Sequence, residues 1–80
     1  MVELIKYIVE SFAERKNEIE YIVNEDGNDV DVTVVLAPED MGKVIGRQGK
    51  TAKALRTIVR SAAAKSGKKY NIEIKEKGEI

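Results

Sequence analysis

Apolar and polar positions alternate along this chain with two different periods, and the switches between them mark its elements. Leu4, Ile5, Ile8, Val9 and Phe12 recur at helical spacing, with Glu3, Lys6, Glu10 and Glu14 between them. That spacing predicts an amphipathic helix of about three turns. The period then drops to two. Ile19, Tyr21 and Val23 alternate with Glu18, Glu20 and Asn24, and after the turn residues Glu25-Asp26-Gly27-Asn28, Val30, Val32, Val34 and Leu36 alternate with Asp29, Asp31, Thr33 and Val35. The pattern predicts two strands joined as a hairpin of undefined turn type. Pro38 stops the second strand, and Asp40 is placed to cap a very short helix over 41–45 that Gly46 breaks. A longer helix is expected to start near Lys50 and to end at Gly67, with Ala52, Leu55, Ile58, Val59, Ala62 and Ala63 as its apolar positions. Tyr70, Ile72 and Ile74 alternate with Asn71, Glu73 and Lys75 as a third strand.

The expected order is α-β-β-α-α-β, an α+β fold in two layers. A crossover of about thirty residues is long enough to make strands two and three parallel neighbours. That arrangement puts the second strand in the middle of a three-stranded mixed sheet, with three helices on one face. The third strand becomes an edge that Lys75 and Lys77 help to blunt. Residues 1–80 read as one domain without repeats or linkers.

Composition narrows the chemistry. The chain has no cysteine and no histidine, which excludes disulfides, thiolate and imidazole catalysis and Cys/His zinc sites. No metal, cofactor or catalytic constellation is expected, and an enzyme is the weakest reading. No apolar run approaches a membrane span and no signal peptide is evident, so a cytoplasmic location is expected. Formal net charge is zero, but its distribution is uneven. Residues 1–42 hold eleven acids against three bases, net −8, whereas residues 43–69 hold nine bases and no acid. A basic block inside a neutral chain is a local footprint for a polyanion.

Inside that block lies Val44-Ile45-Gly46-Arg47-Gln48-Gly49-Lys50-Thr51. Two glycines three apart between helices permit a tight turn and a close approach of another backbone. The second glycine opens a helix whose free N–H groups and dipole favour phosphate. Arg47 projects from the loop with Lys43 and Lys50 flanking, and Gln48 adds hydrogen-bonding capacity without negative charge. A Walker A loop and a dinucleotide fingerprint each need a glycine at position 44, where the chain has Val44.

The segment resembles the signature of KH domains, in which a GxxG loop between two helices clamps single-stranded nucleic acid. The element order matches the type II form of that fold. The run from Ala37-Pro38-Glu39-Asp40 through Ala52-Lys53-Ala54-Leu55-Arg56-Thr57-Ile58 is similar to the small bacterial one-domain KH proteins of the KhpA family. The resemblance implies a non-enzymatic single-stranded RNA-binding protein, a post-transcriptional regulator or RNA chaperone. It implies RNA contacts at Lys43, Val44, Ile45, Gly46, Arg47, Gln48, Gly49, Lys50, Thr51, Ala52, Lys53 and Arg56, with Arg60 extending the phosphate track. It places bases between the central helices and the middle strand, over Ile45, Ala52 and Leu55, with strand backbone near Val34 and Val35 at the base edges. Many KH domains carry a large aliphatic residue where this chain has Ala52, which makes the groove shallower. Tyr7, Phe12, Tyr21 and Tyr70 read as core or strand residues, not stacking platforms. The family also implies a homodimer or pairing with a larger KH-containing protein of the Jag type. The long helix agrees, since Ala54, Leu55, Ile58, Val59, Ala62, Ala63 and Ala64 cannot all face one sheet. A protein-interaction module with weak or no RNA binding is the alternative.

Overall fold

The computed structural model describes residues 1–78. Its elements are α1 (Val2–Phe12), a 3₁₀ turn (Lys16–Glu18), β1 (Glu20–Asp26), β2 (Asp29–Leu36), α2 (Pro38–Ile45), a second 3₁₀ turn (Arg47–Gly49), α3 (Lys50–Ala63) and β3 (Lys69–Glu76). The order α-β-β-α-α-β is the one expected. The sheet runs β1-β2-β3, antiparallel between β1 and β2 and parallel between β2 and β3. This is the two-layer α+β architecture of the type II KH fold.

The period-two pattern of β2 divides its two faces. Val30, Val32, Val34 and Leu36 are buried, while Asp29 and Asp31 face solvent. The helices cover the apolar face with Ile5 and Val9 from α1, Val44 from α2, and Leu55 and Val59 from α3. Burying one such side chain contributes about 1.5–3 kcal/mol. Gly27 alone of the two central hairpin residues has positive φ, +62°, the sign pattern of a type II′ turn.

Several expectations need correction. Asp40 does not cap α2. Pro38 takes the first turn, where its missing N–H costs nothing, and Asp40 turns back toward α1. Its carboxylate accepts the N–H groups of Glu14 at 3.0 Å and Arg15 at 2.8 Å, donors left over where the chain leaves α1. α3 ends at Ala63, short of Gly67, because Ser66 donates both its N–H (2.9 Å) and its hydroxyl (2.7 Å) to the Ala63 carbonyl. Such local side-chain bonding competes with helix continuation. β1 starts at Glu20, the residues before it winding into a turn that leaves Ile19 just outside the strand. Val23 is 44% exposed, because helical cover on β1 stops at Tyr21. Tyr7 is 74% exposed and belongs to no core. No described helix is long and apolar enough to cross a membrane.

Candidate nucleic-acid interface

The loop between α2 and α3 is built on left-handed backbone. Gly46 has φ +79° and ψ 172°, Gln48 has φ +58°, and Gly49 has φ +75°. A non-glycine residue with positive φ is uncommon, so Gln48 is held there by the chain on either side. The Gly49 N–H donates to the Gly46 carbonyl at 3.1 Å and closes the turn.

The two glycines answer to different constraints. A Cβ on Gly46 would lie 2.9 Å from the backbone nitrogen of Thr51 and closer still to the Thr51 hydroxyl. Gly46 therefore lets the start of α3 pack onto the loop. Around a Cβ on Gly49 there is nothing within 4 Å. Its role is conformational, and the space above it is open to another backbone. Arg47 and Gln48 stand exposed between them.

Each sequence-picked residue has a definite place. Gly46, Arg47, Gln48 and Gly49 form the loop, and Lys50 and Thr51 open α3. Val44 is 1% exposed and supports the loop from the core. Ala52 and Leu55 are buried too, whereas half-buried Ile45 offers apolar surface beside the loop. Lys53 and Arg56 are exposed on α3. Lys43 lies apart in charge, because its ammonium pairs with Glu14 at 2.6 Å.

That pairing separates two kinds of cation. Arg15 sits against Glu18 at 3.3 Å and Glu39 at 3.4 Å, and Lys68 against Glu25 at 2.6 Å. Among the described residues, no ion pair involves Arg47, Lys50, Lys53, Arg56 or Arg60. Their charge is unneutralised and available to phosphate. The fully buried Asp40 stays on the far side of α2. The Glu14 N–H, followed by the Arg15 N–H and the charges of Lys43 and Arg15, holds its carboxyl below the usual range against the opposing effect of burial.

The strand beside the helices is β3, not the middle strand. β2 is paired along both edges, with Val34 opposite Tyr21 on one side and Ile74 on the other. Val34 and Val35 thus have no free edge for a base. The outer edge of β3 is open, and α3 lies along that strand, where Arg56 Nε donates to the Ile72 carbonyl at 3.2 Å. The parallel pairing, already legible in the sequence, was the signal that could have placed the groove there.

The comparisons with known proteins identify the family. The family described as KhpA/KhpB, KH domain, matches residues 2–74. Proteins named RNA-binding protein KhpA are among the relatives. The one from Clostridium perfringens is 43% identical, over 92% of this chain and 99% of its own. Those from Listeria monocytogenes and Halalkalibacterium halodurans are 37% and 35% identical. They cover 95% and 92% of this chain, and 100% and 97% of their own. The chain belongs to the KhpA/KhpB KH-domain family.

Proposed function

We propose that this chain is a cytoplasmic, single-domain, non-enzymatic RNA-binding protein that clamps single-stranded RNA at the loop 46–49. The observation that carries the reading is the coincidence of an open left-handed loop with a row of unpaired cations. The strand backbone crosses Gly49, where nothing obstructs it. Arg47 and Lys50 take phosphate oxygens, and Gln48 and the first N–H groups of α3 add hydrogen bonds. Thr51 and Val44 hold the loop in shape. Bases turn toward Ile45 and the free edge of β3, over the buried Ala52, with Lys53 and Arg56 on the phosphate side.

Ala52 leaves that groove shallow, so affinity is about micromolar and salt-dependent. The relatives' name, RNA-binding protein, supports this reading. Its biological setting is post-transcriptional regulation or RNA chaperoning.

A second reading has its own observation. Ala54, Ile58 and Ala62 form an exposed strip on α3. With Ile8 and Phe12 of α1, Ala54 and Ile58 border a groove of about 240 Å³. Such a surface suits a second copy of this chain or a larger Jag-type KH protein, and pairing would double the RNA contacts. Here it accompanies RNA binding and does not replace it.

Fluorescence anisotropy with short single-stranded RNA across a salt series tests the proposal. The Arg47→Asp/Gln48→Asp variant is expected to lose at least about a hundredfold in affinity, since it sets two negative charges against phosphate. Its circular dichroism spectrum should stay that of the wild type. Equal binding by both proteins would remove the loop as the clamp and favour the interaction module.

A further inference from the structure

At the far end of α3 from the loop there is a cleft of about 270 Å³, bordered by Arg60, Ala63, Ala64, Lys69 and Tyr70, with Lys68 and Asn71 also on its wall, held by Glu25 at 2.6 Å and Asp31 at 2.9 Å. We infer that this cleft is a second subsite for the same single RNA strand, with Arg60 and Lys69 holding phosphate and Tyr70 with the alanine floor taking one base. The inference rests on the clamp reading above and extends it to residues beyond the loop.

Four observations carry it. The first is alignment. Lys53, Arg56 and Arg60 recur at spacings of three and four, which puts them on one stripe of α3. Arg56 fixes that stripe to the β3 side through its bond to the Ile72 carbonyl. The basic stripe thus leads from the loop to the cleft.

The second is charge. Among the described residues Arg60 and Lys69 have no carboxylate partner, whereas the neighbouring Lys68 is tied to Glu25 at 2.6 Å. The negative end of α3 would oppose phosphate. Ser66 blunts it by donating its N–H and hydroxyl to the Ala63 carbonyl.

The third is the aromatic. Tyr70 is half-buried and packed against the core cluster, so its ring is held in place. An aromatic face contributes about 1–3 kcal/mol per stacked base whatever the base. Near the loop, Phe12 lies with Lys50 and Thr51 on the α1 side of α3, off the basic stripe, whereas Tyr70 lies in the cleft at the end of that stripe.

The fourth is length. Lys50 and Arg60 are ten residues apart on one helix, about 15 Å along its axis. At the stacked spacing of about 3.4 Å per nucleotide, that is roughly four nucleotides. A KH loop clamps about four nucleotides, so the clamped strand ends at the mouth of the cleft and a strand of about five or six reaches into it.

The test compares labelled U4 and U8 by anisotropy. Chance overlap alone gives U8 about a fivefold advantage, from its five registers on a four-nucleotide clamp. The subsite is expected to raise that ratio by a further factor of about ten, and to steepen the salt dependence by about 0.7 for each added phosphate contact. Arg60→Gln/Lys69→Gln should return the ratio to about fivefold by weakening U8 more than U4, whereas Lys6→Gln/Lys16→Gln, with equal charge removed elsewhere, should not. Tyr70→Leu, which keeps apolar volume, should also lower the U8 advantage. A wild-type ratio of about five, or one untouched by Arg60→Gln/Lys69→Gln, would overturn the subsite while leaving the clamp standing. Failure of the clamp reads differently: both oligonucleotides would bind Arg47→Asp/Gln48→Asp as tightly as wild type, or neither would bind at all.

Discussion

The two exposed flanks of α3 have opposite chemistry. Both border one buried stripe, Ala52, Leu55, Val59 and Ala63. On the β3 side stand Lys53, Arg56 and Arg60, without a carboxylate partner among the described residues. On the α1 side Ala54 and Ile58 meet Ile8 and Phe12 across a shallow apolar groove. One helix thus presents a basic flank and an apolar flank, and neither shows in a net charge of zero. The difference arises from pairing. Arg15 and Lys43, beside α1 and α2, have acids at 2.6–3.4 Å, and among the described residues those on the outer stripe of α3 have none.

The sharpest way to break that comparison is to reverse charge on one flank and insert it on the other. Lys53→Glu/Arg56→Glu is expected to weaken RNA binding by about fiftyfold or more, with no change in mass by light scattering. Ile58→Glu should do the converse, shifting a dimer to monomer mass while each monomer keeps its affinity for short RNA. Loss of both properties in either variant would mean that the flanks are not separable.

Next in size are the two loop glycines. Gly46→Ala forces a Cβ onto Thr51 at a φ of +79°. It should cost about 2–4 kcal/mol and lower the melting temperature by about 10–20 °C. Gly49→Ala has room and should cost only about 1–2 kcal/mol, yet narrow the approach for RNA. Thermal melts and anisotropy on both variants would separate the packing glycine from the open one.

Asp40 gives a pH dependence. Folding holds its carboxyl below the ordinary value, so the ionised form is favoured in the native state. The stability this supplies is complete above the unfolded value of about 3.9 and is lost as pH falls through the lower, folded one. In Asp40→Asn that acid-side loss should shrink, and the variant should be less stable than wild type at neutral pH. Urea titrations at several pH values check both.

The smallest effect separates a paired from an unpaired lysine. Lys53→Gln should reduce the salt slope of RNA binding by about 0.7, as one phosphate contact is lost. Lys43→Gln should change it much less, because Glu14 already neutralises that ammonium. Equal slopes would mean that the ion pair opens on binding.

Most of the architecture was legible in the periods of the sequence. The helical spacing of Ile5 and Val9 and the alternation through β2 each encode a face, and the two glycines mark the loop. What escaped the sequence was long-range. Asp40 precedes a helix, as a cap would, and only the fold reveals that Glu14 and Arg15 arrive beside it. Tyr7 and Phe12 sit at plausible apolar positions, but exposure depends on where neighbouring helices stop. The positive φ of Gln48 follows from the glycines around it and not from its own type. Val34 and Val35 were expected to offer free backbone although the sequence already makes β3 the edge, and pairing on both sides uses up the backbone of β2.

The parallel pairing of β2 with β3 also sets a timetable. Asp29 stands opposite Lys69 and Leu36 opposite Glu76, partners forty residues apart along the chain. At about 5–20 residues per second of synthesis, the middle strand waits roughly 2–8 s for its second neighbour. Until then the sheet consists of the β1–β2 hairpin alone, and the Val30–Val32–Val34 row has one paired edge. Closing so long a loop precedes the contacts that reward it. The nascent chain therefore passes through an interval when its most apolar strand lies open to other chains.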